Sequence, residues 1–374
     1  MAASILSIGT AVPPARASQT VARDVFASQP GLSRIAQRLI RAAFDASAID
    51  HRNTVLTDLV AAATGVENPD PAFGASLAGA DGTILSASTG ARNDAYIRLA
   101  PALFATAAAQ ALAEGGVAPD EVTHVVTVSC TGMFAPGPDF RLVKDLGLPK
   151  DVERYHIGFM GCAAALPGLR AASRICDAQP DAVVLVAAAE LCTLHIRSSE
   201  DPQQIVAASV FADGAAAAVV ARRPRGAGPR LELERFGTVL TTEGESDMVW
   251  TIGDEGFNMV LTAEVPRIIG REIRHAVESF LGADVPDLWA VHPGGRSVLD
   301  RVESGLSLAP QALEASRSVL RRQGNMSSAT ILFILRDLLH DETVPDGARV
   351  AALAFGPGLT VESALLTRTT TQPW

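Results

Sequence analysis

The stretch HIGFMGCAAALPGLRAA, residues 156–172, passes from a strand-like run into a run of good helix formers. Cys162 stands at the junction, between Gly161 and three alanines. Free cysteine is among the most buried residue types and usually serves only to pack. At the start of a helix, however, unpaired backbone N–H groups and the helix dipole favour the thiolate form. The stretch therefore poses a choice between a core residue and a nucleophile, and the rest of the chain decides it.

Composition narrows the class of protein. The 374 residues are 48% hydrophobic with a net charge of −10, and the mean hydropathy is +0.22. A large apolar core is expected, in one large domain or two packed halves. An acidic chain is not expected to bind nucleic acid. No apolar run approaches the ~18 residues of a membrane helix, and the N-terminus lacks a basic signal region, which predicts a cytoplasmic protein without membrane insertion.

The cysteine spacing argues against a metal site or a disulfide framework. Cys130, Cys162, Cys176 and Cys192 form no C-x-x-C pair, and no histidine completes a zinc pattern. One cysteine working with a distant histidine and asparagine is the chemical arrangement that remains.

Short apolar runs alternate with amphipathic segments along the chain, which is typical of an α/β fold. The predicted strands are 124–130, 182–189, 215–221, 288–292 and 349–355. Helices are predicted over 95–116 and 265–282, because each segment has helix-forming composition or near-helical apolar spacing and ends on glycine.

The segment RRPRGAGPR (222–230) is rich in Pro, Gly and Arg. It predicts a boundary between an N-terminal half, 1–225, and a C-terminal half, 226–374. In each half a chemically interesting residue follows a strand and precedes a helix. That pattern predicts a duplicated α/β fold whose site lies between the halves, at strand ends and helix starts.

Two further residues complete a candidate site with Cys162. His292 ends the predicted strand LWAVH, directly before Pro-Gly-Gly, and Asn325 precedes a strongly helical run. Taken singly, His292 reads as an interior histidine and Asn325 as an ordinary helix cap. Together with a cysteine they specify a chemistry, because a thiolate kept ionised by a neighbouring imidazolium can hold an acyl group. The two N–H donors can both serve one oxyanion, which a malonyl thioester requires as it loses carbon dioxide.

Five blocks of the sequence resemble the signature blocks of type III polyketide synthases, the chalcone-synthase-like homodimers of the thiolase superfamily. They are GFMGCAAALPGLRAA, SVFADGAAAAV, AVHPGGRSVLD, GNMSSAT and AFGPGLTVE, in the family's order. The resemblance covers nearly the whole chain and implies a duplicated, thiolase-like α-β-α-β-α layered fold. It also implies an acyltransferase of secondary metabolism that extends an acyl-CoA starter with malonyl-CoA and cyclises the product, without cofactor or metal.

The resemblance assigns roles to residues of these blocks. Cys162 resembles the acyl-binding nucleophile, and His292 and Asn325 resemble the pair that activates it and drives decarboxylation. Phe211 resembles the first gatekeeper between the coenzyme A tunnel and the reaction cavity. The family's cavity-lining GFGPGL loop matches Phe355, Gly356, Pro357 and Gly358, with Ala354 in place of its first glycine.

Four positions depart from the plant chalcone synthases. Met259 stands at the second gatekeeper phenylalanine, Trp250 at a cavity glycine, and Cys192 and His195 at two threonines. The departures resemble the bacterial alkylpyrone and alkylresorcinol synthases, which use fatty-acyl starters. Trp250 is expected to fill volume, whereas Cys192 and Met259 offer softer walls that favour an aliphatic chain.

The resemblance also bears on partners. The basic residues that contact coenzyme A in the plant enzymes are replaced by small or apolar residues here. The candidates for binding the nucleotide phosphates are therefore Arg38, Arg41 and Arg52. It is equally expected that these arginines only form a solvated helix face. Cys130 ends a strand and is expected to line the cavity. It precedes TGMFAPG, which in the family reaches across the interface of a homodimer.

Two other readings of the chain stay open on sequence alone. A β-ketoacyl synthase III shares the Cys–His–Asn set, but it condenses once and takes its malonyl group from a carrier protein. A non-catalytic partner subunit of a condensing enzyme would lack the nucleophile, whereas Cys162 is present. The first alternative predicts a different malonyl donor, so the two enzymes are separable by experiment.

Overall fold

A computed structural model of the chain describes residues 2–66, 74–75, 77–223 and 228–371. Its strands are β1 Ser4–Ala11, β2 Ala15–Ser18, β3 His51–Thr54, β4 His124–Ser129, β5 Glu153–Gly158, β6 Val183–Leu191, β7 Asp213–Ala221, β8 Gly228–Leu240, β9 Met248–Gly253, β10 Gly256–Leu261, β11 Leu288–Val291, β12 Arg349–Gly356 and β13 Thr360–Thr371. Its α-helices are α1 Gln19–Ala27, α2 Arg34–Asp45, α3 Thr57–Thr64, α4 Thr89–Glu114, α5 Pro138–Leu146, α6 Ala165–Ala178, α7 Pro202–Val210, α8 Glu264–Leu281, α9 Arg296–Leu306, α10 Glu314–Gln323 and α11 Thr330–His340. The predicted boundary at 225/226 lies outside the described residues.

Nine strands form one mixed sheet in the order β11-β12-β13-β8-β1-β7-β6-β4-β5. In the N-terminal half, β4 and β6 are parallel and β7 and β1 follow antiparallel. The C-terminal half repeats the pattern, with β11 and β12 parallel and β13 and β8 antiparallel. The repeats join where β1 pairs with β8, at Ser4 opposite Glu232 and Ile5 opposite Leu231. The arrangement is the duplicated α/β architecture that the sequence predicts.

Two buried helices occupy the space between the halves. Helix α6 contacts β4, β6 and β7 of the first half and β13 of the second, and α11 contacts β1, β7, β8 and β11. Leu166 and Leu169 of α6 and Leu332 and Leu335 of α11 belong to one core cluster, each fully buried. The apolar faces of these helices therefore hold the two repeats together.

Three neighbouring strands of the N-terminal half are buried because their sequences are largely apolar. Every residue of β4, β6 and β7 is buried, as expected for strands covered on both faces. The predicted helix 95–116 begins earlier, at Thr89, because the Ser88 hydroxyl accepts a hydrogen bond from Ala91 N and caps it. No helix in the described part of the chain is long and apolar enough to cross a membrane.

Candidate active site

Cys162, His292 and Asn325 line one cavity of about 430 Å³. Each lies just beyond a turn or strand end: Cys162 shortly after β5, and His292 directly after β11. Asn325 forms a short parallel bridge with Phe211. The structure thus brings together three residues that are far apart in sequence, as the predicted site requires. No group of three or more potential ligands for a metal ion occurs among the described residues.

Cys162 lies in a single 3₁₀ turn, Gly161–Ala163, and not in the α-helix that the sequence predicts to begin with it. Helix α6 begins at Ala165. The backbone is left-handed at Gly161 (φ 61°), in the turn, and at Phe159 (φ 56°), two residues before it. A Cβ at Gly161 would lie 2.6 Å from Pro357 Cδ, so only glycine lets the two loops pack so closely. This turn positions the Cys162 sulfur at the cavity wall.

His292 is buried and its ring makes no hydrogen bond within the described part of the chain. Its backbone is fixed, because its N–H donates to Leu353 O at 2.8 Å and its carbonyl accepts from Gly294 N at 3.1 Å. Burial lowers the pKa of His292 to about 3. Buried polar side chains are almost always paired, so two unpaired ring nitrogens facing a cavity indicate a group held for a substrate.

Asn325 is held through its main chain. Its N–H donates to Val210 O at 2.9 Å, and its carbonyl accepts from Ala212 N at 2.8 Å. The side-chain Oδ1 accepts from Ser327 N at 2.8 Å, while Nδ2 donates a long bond of 3.4 Å to Gly294 O. Because Oδ1 is occupied by a backbone donor, the amide presents its N–H₂ group toward the site.

The ionisation of the cysteine differs from the sequence-based expectation of a thiolate paired with an imidazolium. Burial raises the pKa of Cys162 to about 11, against the lowering effect of hydrogen bonds with Ser327 and Asn325. Burial likewise keeps His292 neutral. Desolvation thus favours the uncharged form of both side chains, the thiol of Cys162 and the neutral imidazole of His292. A neutral imidazole can accept a proton, which is what a general base requires.

Glu190 is a buried carboxylate that the sequence analysis missed. It accepts hydrogen bonds from Cys130 N at 3.0 Å, Thr131 Oγ1 at 2.8 Å and Ser328 Oγ at 2.5 Å. Burial raises the pKa of this carboxyl. Its bonds tie the loop after β4 to the turn that follows Asn325. The signal was available, since Glu190 is the only charged residue in the apolar run that forms β6.

Phe211 and Met259 separate the main cavity from two smaller voids. Both residues line all three spaces. One void, of about 40 Å³, also touches Cys162, Cys130, Cys192, Trp250 and Pro357. The other, of about 30 Å³, touches Cys192, His195 and Trp250. The wall residues expected from the resemblance thus lie around three spaces that share Phe211 and Met259 in their lining.

The remaining loop residues pack behind the nucleophile. Phe355 lines the main cavity. A Cβ at Gly356 would lie 2.8 Å from Met160 O, next to the turn of Cys162. Gly358 adopts φ 120°, which only glycine enters readily.

His195 and Trp250 form a fixed wall. His195 Nε2 donates to Thr131 O at 2.8 Å, and its Nδ1 accepts from Phe257 N at 3.1 Å, while burial lowers the pKa of His195 to about 4. The ring stacks on Phe257 with centroids 4.2 Å apart and meets Trp250 edge-on at 5.6 Å. Trp250 Nε1 donates to Cys130 O at 2.8 Å. With both nitrogens occupied, His195 shapes the cavity and has no free group for catalysis.

The three arginines predicted as coenzyme A contacts do not line the cavity. Arg41 forms an exposed ion pair with Asp24 at 3.0 Å, and Arg38 is exposed on α2. The expectation for Arg52 is wrong: its guanidinium is buried and donates to Ala208 O at 2.6 Å and Phe211 O at 2.7 Å. Burial lowers its pKa to about 10, against the opposing charge of Asp213. Arg52 therefore supports the fold beneath Phe211.

The arginines that do line the cavity are Arg267, Arg296 and Arg301, on α8 and α9. These three arginines were not among the predicted contacts, because nothing in their spacing distinguishes a cavity-facing arginine from a solvated one. Arg267 also lies inside the predicted helix 265–282, where a charged residue reads as part of the polar face.

Comparison with known proteins identifies the family to which the chain belongs. Residues 1–224 match the family described as "Chalcone and stilbene synthases, N-terminal domain", and residues 237–370 match its C-terminal domain. A curated relative, "Probable polyketide synthase 1" of Dictyostelium discoideum, is 33% identical in an alignment 290 residues long that covers 73% of this chain. The chain spans only 9% of that much longer protein.

Two solved structures share the whole fold. The crystal structure of PKS-I from the brown alga Ectocarpus siliculosus has a TM-score of 0.89 and 29% identity, with 98% of each chain covered. The C-terminal type III polyketide synthase domain of Steely1, a type I/III hybrid from Dictyostelium, has a TM-score of 0.86 and 29% identity, covering 98% of this chain and 99% of that domain. The predicted thiolase-like α/β fold is confirmed by this likeness.

The buried position of Arg52 leads to a prediction about the stability of the fold. Arg52→Met removes a buried cation and leaves the Ala208 and Phe211 carbonyls without donors and Asp213 without its counter-charge. We expect the free energy of unfolding to fall by about 3 kcal/mol, measured by urea denaturation. Arg52→Lys, which keeps the charge but fewer donors, should lose less. The exposed Arg41→Met is the matched control and should unfold like the wild type. An Arg52→Met protein of unchanged stability that needed more malonyl-CoA would restore Arg52 as a substrate contact.

Proposed function

This chain belongs to the chalcone and stilbene synthase family and is a type III polyketide synthase, and from that premise we propose its reaction. An acyl-CoA starter loads Cys162, malonyl-CoA extends it by repeated decarboxylative condensation, and the chain cyclises to an alkylpyrone or alkylresorcinol. The observation that carries this proposal is the unpaired imidazole of His292 in the cavity that also holds Cys162 and Asn325. The reaction needs no cofactor beyond the two thioesters.

Loading begins with Cys162 as a thiol and His292 as a neutral imidazole. As Cys162 Sγ attacks the carbonyl of the acyl-CoA, its proton passes to His292, whose ring nitrogen is free to accept it. The tetrahedral intermediate collapses with loss of the CoA thiolate, which takes the proton back from the imidazolium. The acyl group is then a thioester on Cys162, and the histidine is neutral again for the next step.

Extension uses His292 and Asn325 as donors. When malonyl-CoA loses carbon dioxide, the electron pair of the broken C–C bond forms a thioester enolate whose oxygen carries the charge. One N–H of His292 and the Asn325 Nδ2–H can both donate to that oxygen, and each such donor is typically worth ~3 kcal/mol to an enzymatic transition state. The enolate carbon attacks the Cys162 thioester and releases the thiolate, which completes one condensation.

The voids behind Phe211 and Met259 support an aliphatic starter. The void of about 30 Å³ shares Ile196 and Ala208 with a further apolar pocket of about 50 Å³ between α1 and α3. Movement of the flexible Met259 side chain would join the main cavity to these spaces. We therefore propose that the alkyl tail of the starter, or of the growing chain, extends in this direction.

We also propose a homodimer. Strand β5 is the edge of the nine-stranded sheet, with exposed backbone and with Tyr155 48% exposed. Met160 and Met133 nearby are 37% and 46% exposed. Met133 is held in place by two hydrogen bonds between its main chain and the side chain of Asn93. An exposed sheet edge flanked by large apolar side chains is normally covered, and pairing with a second copy would cover it.

The function is tested by giving the purified protein malonyl-CoA with starter acyl-CoAs from acetyl to stearoyl and analysing products by mass spectrometry. We expect triketide or tetraketide products from the wild type and none from Cys162→Ala. Because decarboxylation needs only the two donors, Cys162→Ala should still release carbon dioxide from malonyl-CoA. Asn325→Ala should lose about a hundredfold of that release. Products formed only from malonyl-carrier protein would instead identify a single-condensation synthase, and equal behaviour of wild type and Cys162→Ala would reject the mechanism.

The side voids predict chain-length selection. Cys192→Phe would fill the voids of about 40 and 30 Å³ that Cys192 lines, so we expect kcat/KM for long-chain starters to fall while that for acetyl-CoA holds. Cys192→Ala, which leaves the space open, is the matched control and should keep the long starters. An equal loss for all starter lengths in Cys192→Phe would show that the tail does not enter these voids.

The dimer is tested by light scattering or native mass spectrometry. We expect twice the 38.9 kDa mass of the chain, and a shift toward single copies in Tyr155→Glu, because a charge on the sheet edge opposes pairing. Ile35→Glu, on a distant and 79% exposed apolar residue of α2, is the control and should stay dimeric. A wild type that runs as a single copy at micromolar concentration would contradict the proposal.

A further inference from the structure

The cavity that holds Cys162 carries a positive charge at its open end. Its lining includes Arg267, Arg296 and Arg301 but no aspartate or glutamate. The three arginines are exposed, whereas Cys162 is buried, so they mark the side from which substrate enters. The chain as a whole has a net charge of −10. A local cluster of arginines at the cavity therefore indicates a binding site for an anionic ligand.

The three arginines differ in whether a carboxylate pairs with them. Arg267 forms an exposed pair with Glu264, one turn away on α8. Arg296 lies 4.0 Å from Asp300, a carboxylate that also binds Arg317 at 2.8 Å. Arg301 has no acidic partner among the described residues. Its aliphatic stem lies over Gly270 of α8, where a Cβ would come within 3.3 Å of the Arg301 Cδ. The guanidinium is thus positioned by packing and left available for an anion.

Helix α2 offers no comparable group on this cavity. Its contribution to the lining comes from Ala43 and from the residues just past its end, Ala46 and Ser47. Arg41 is engaged by Asp24, and Arg52 is buried beneath Phe211. The phosphate contacts expected from this side of the cavity are therefore missing.

We propose that Arg301 and Arg267, on the facing helices α9 and α8, bind the phosphate groups of coenzyme A thioesters and replace the contacts missing from α2. The assignment rests on the proposed function, since it takes acyl-CoA and malonyl-CoA as substrates. A guanidinium presents paired N–H donors that match phosphate oxygens, and it stays charged at every working pH. The phosphates at the open end would direct the pantetheine arm inward, toward His292 and Cys162.

The experiment compares two malonyl donors. Malonyl-CoA carries the phosphates, whereas malonyl-pantetheine has the same reacting group and arm but no phosphate. Steady-state kinetics with both donors are measured for wild type, Arg301→Gln and Arg267→Gln. Arg271→Gln is the matched control, because it removes the same charge from α8 at a residue that pairs with Glu243 and does not line the cavity.

We expect KM for malonyl-CoA to rise about tenfold in Arg301→Gln and less in Arg267→Gln, with kcat nearly unchanged. KM for malonyl-pantetheine should be unaffected, and Arg271→Gln should behave like the wild type. The wild-type KM for malonyl-CoA should also rise with salt more steeply than that of Arg301→Gln. Equal losses with both donors, or an equal loss in Arg271→Gln, would overturn the assignment.

Calorimetric titration with coenzyme A itself separates this inference from the proposed reaction. It reports Kd without turnover, so it can be interpreted even if no polyketide forms. A Kd that weakens about tenfold in Arg301→Gln and not in Arg41→Gln supports the assignment. An unchanged Kd in Arg301→Gln, or a weaker one in Arg41→Gln alone, returns the phosphate site to α2 and refutes it.

Discussion

The short parallel bridge between Phe211 and Asn325 is the constraint on which the site depends. It joins the two halves of the chain, because Asn325 exchanges main-chain hydrogen bonds with Val210 and Ala212, on either side of Phe211. Arg52 secures the same segment from below through the carbonyls of Ala208 and Phe211. The amide that would stabilise an enolate and the aromatic ring at the cavity wall are therefore positioned by one piece of backbone. A shift of either half would move both.

Burial of the side chains bears on both the ionisation and the proposed chemistry of this site. Burial raises the pKa of Cys162 to about 11 and lowers that of His292 to about 3, so both side chains favour their uncharged forms. The same low-dielectric surroundings strengthen each hydrogen bond to a developing oxyanion. A more hydrated cavity would ionise the cysteine more readily, but it would weaken the donors on which the proposed decarboxylation depends.

Much of the fold could be predicted because its strands are continuous apolar runs. The strand predicted over 182–189 is Val183–Leu191, and the one over 349–355 is Arg349–Gly356. The three candidate catalytic residues were also accessible, since each follows a strand or precedes a helix and their combined chemistry is distinctive. Arg52 was misassigned because sequence does not distinguish an arginine that satisfies buried carbonyls from one that faces solvent. The protonation of Cys162 could not be predicted either, because it depends on the depth of burial.

Selectivity for the starter must come from residues other than the three at the reaction centre, since their chemistry acts on any acyl thioester. Trp250 is fixed by its bond to Cys130 O and by its edge-on contact with His195, so it sets a boundary that a substrate does not move. Met259 makes no such side-chain bond within the described part of the chain, and its unbranched side chain adapts to the shape of a neighbour. The wall thus combines a rigid side and a compliant side. In the proposed reaction, an alkyl chain that displaced Met259 would gain apolar contact with the spaces beyond it, at ~0.8 kcal/mol for each buried methylene, and that gain would favour a longer tail over a shorter one until the space ended.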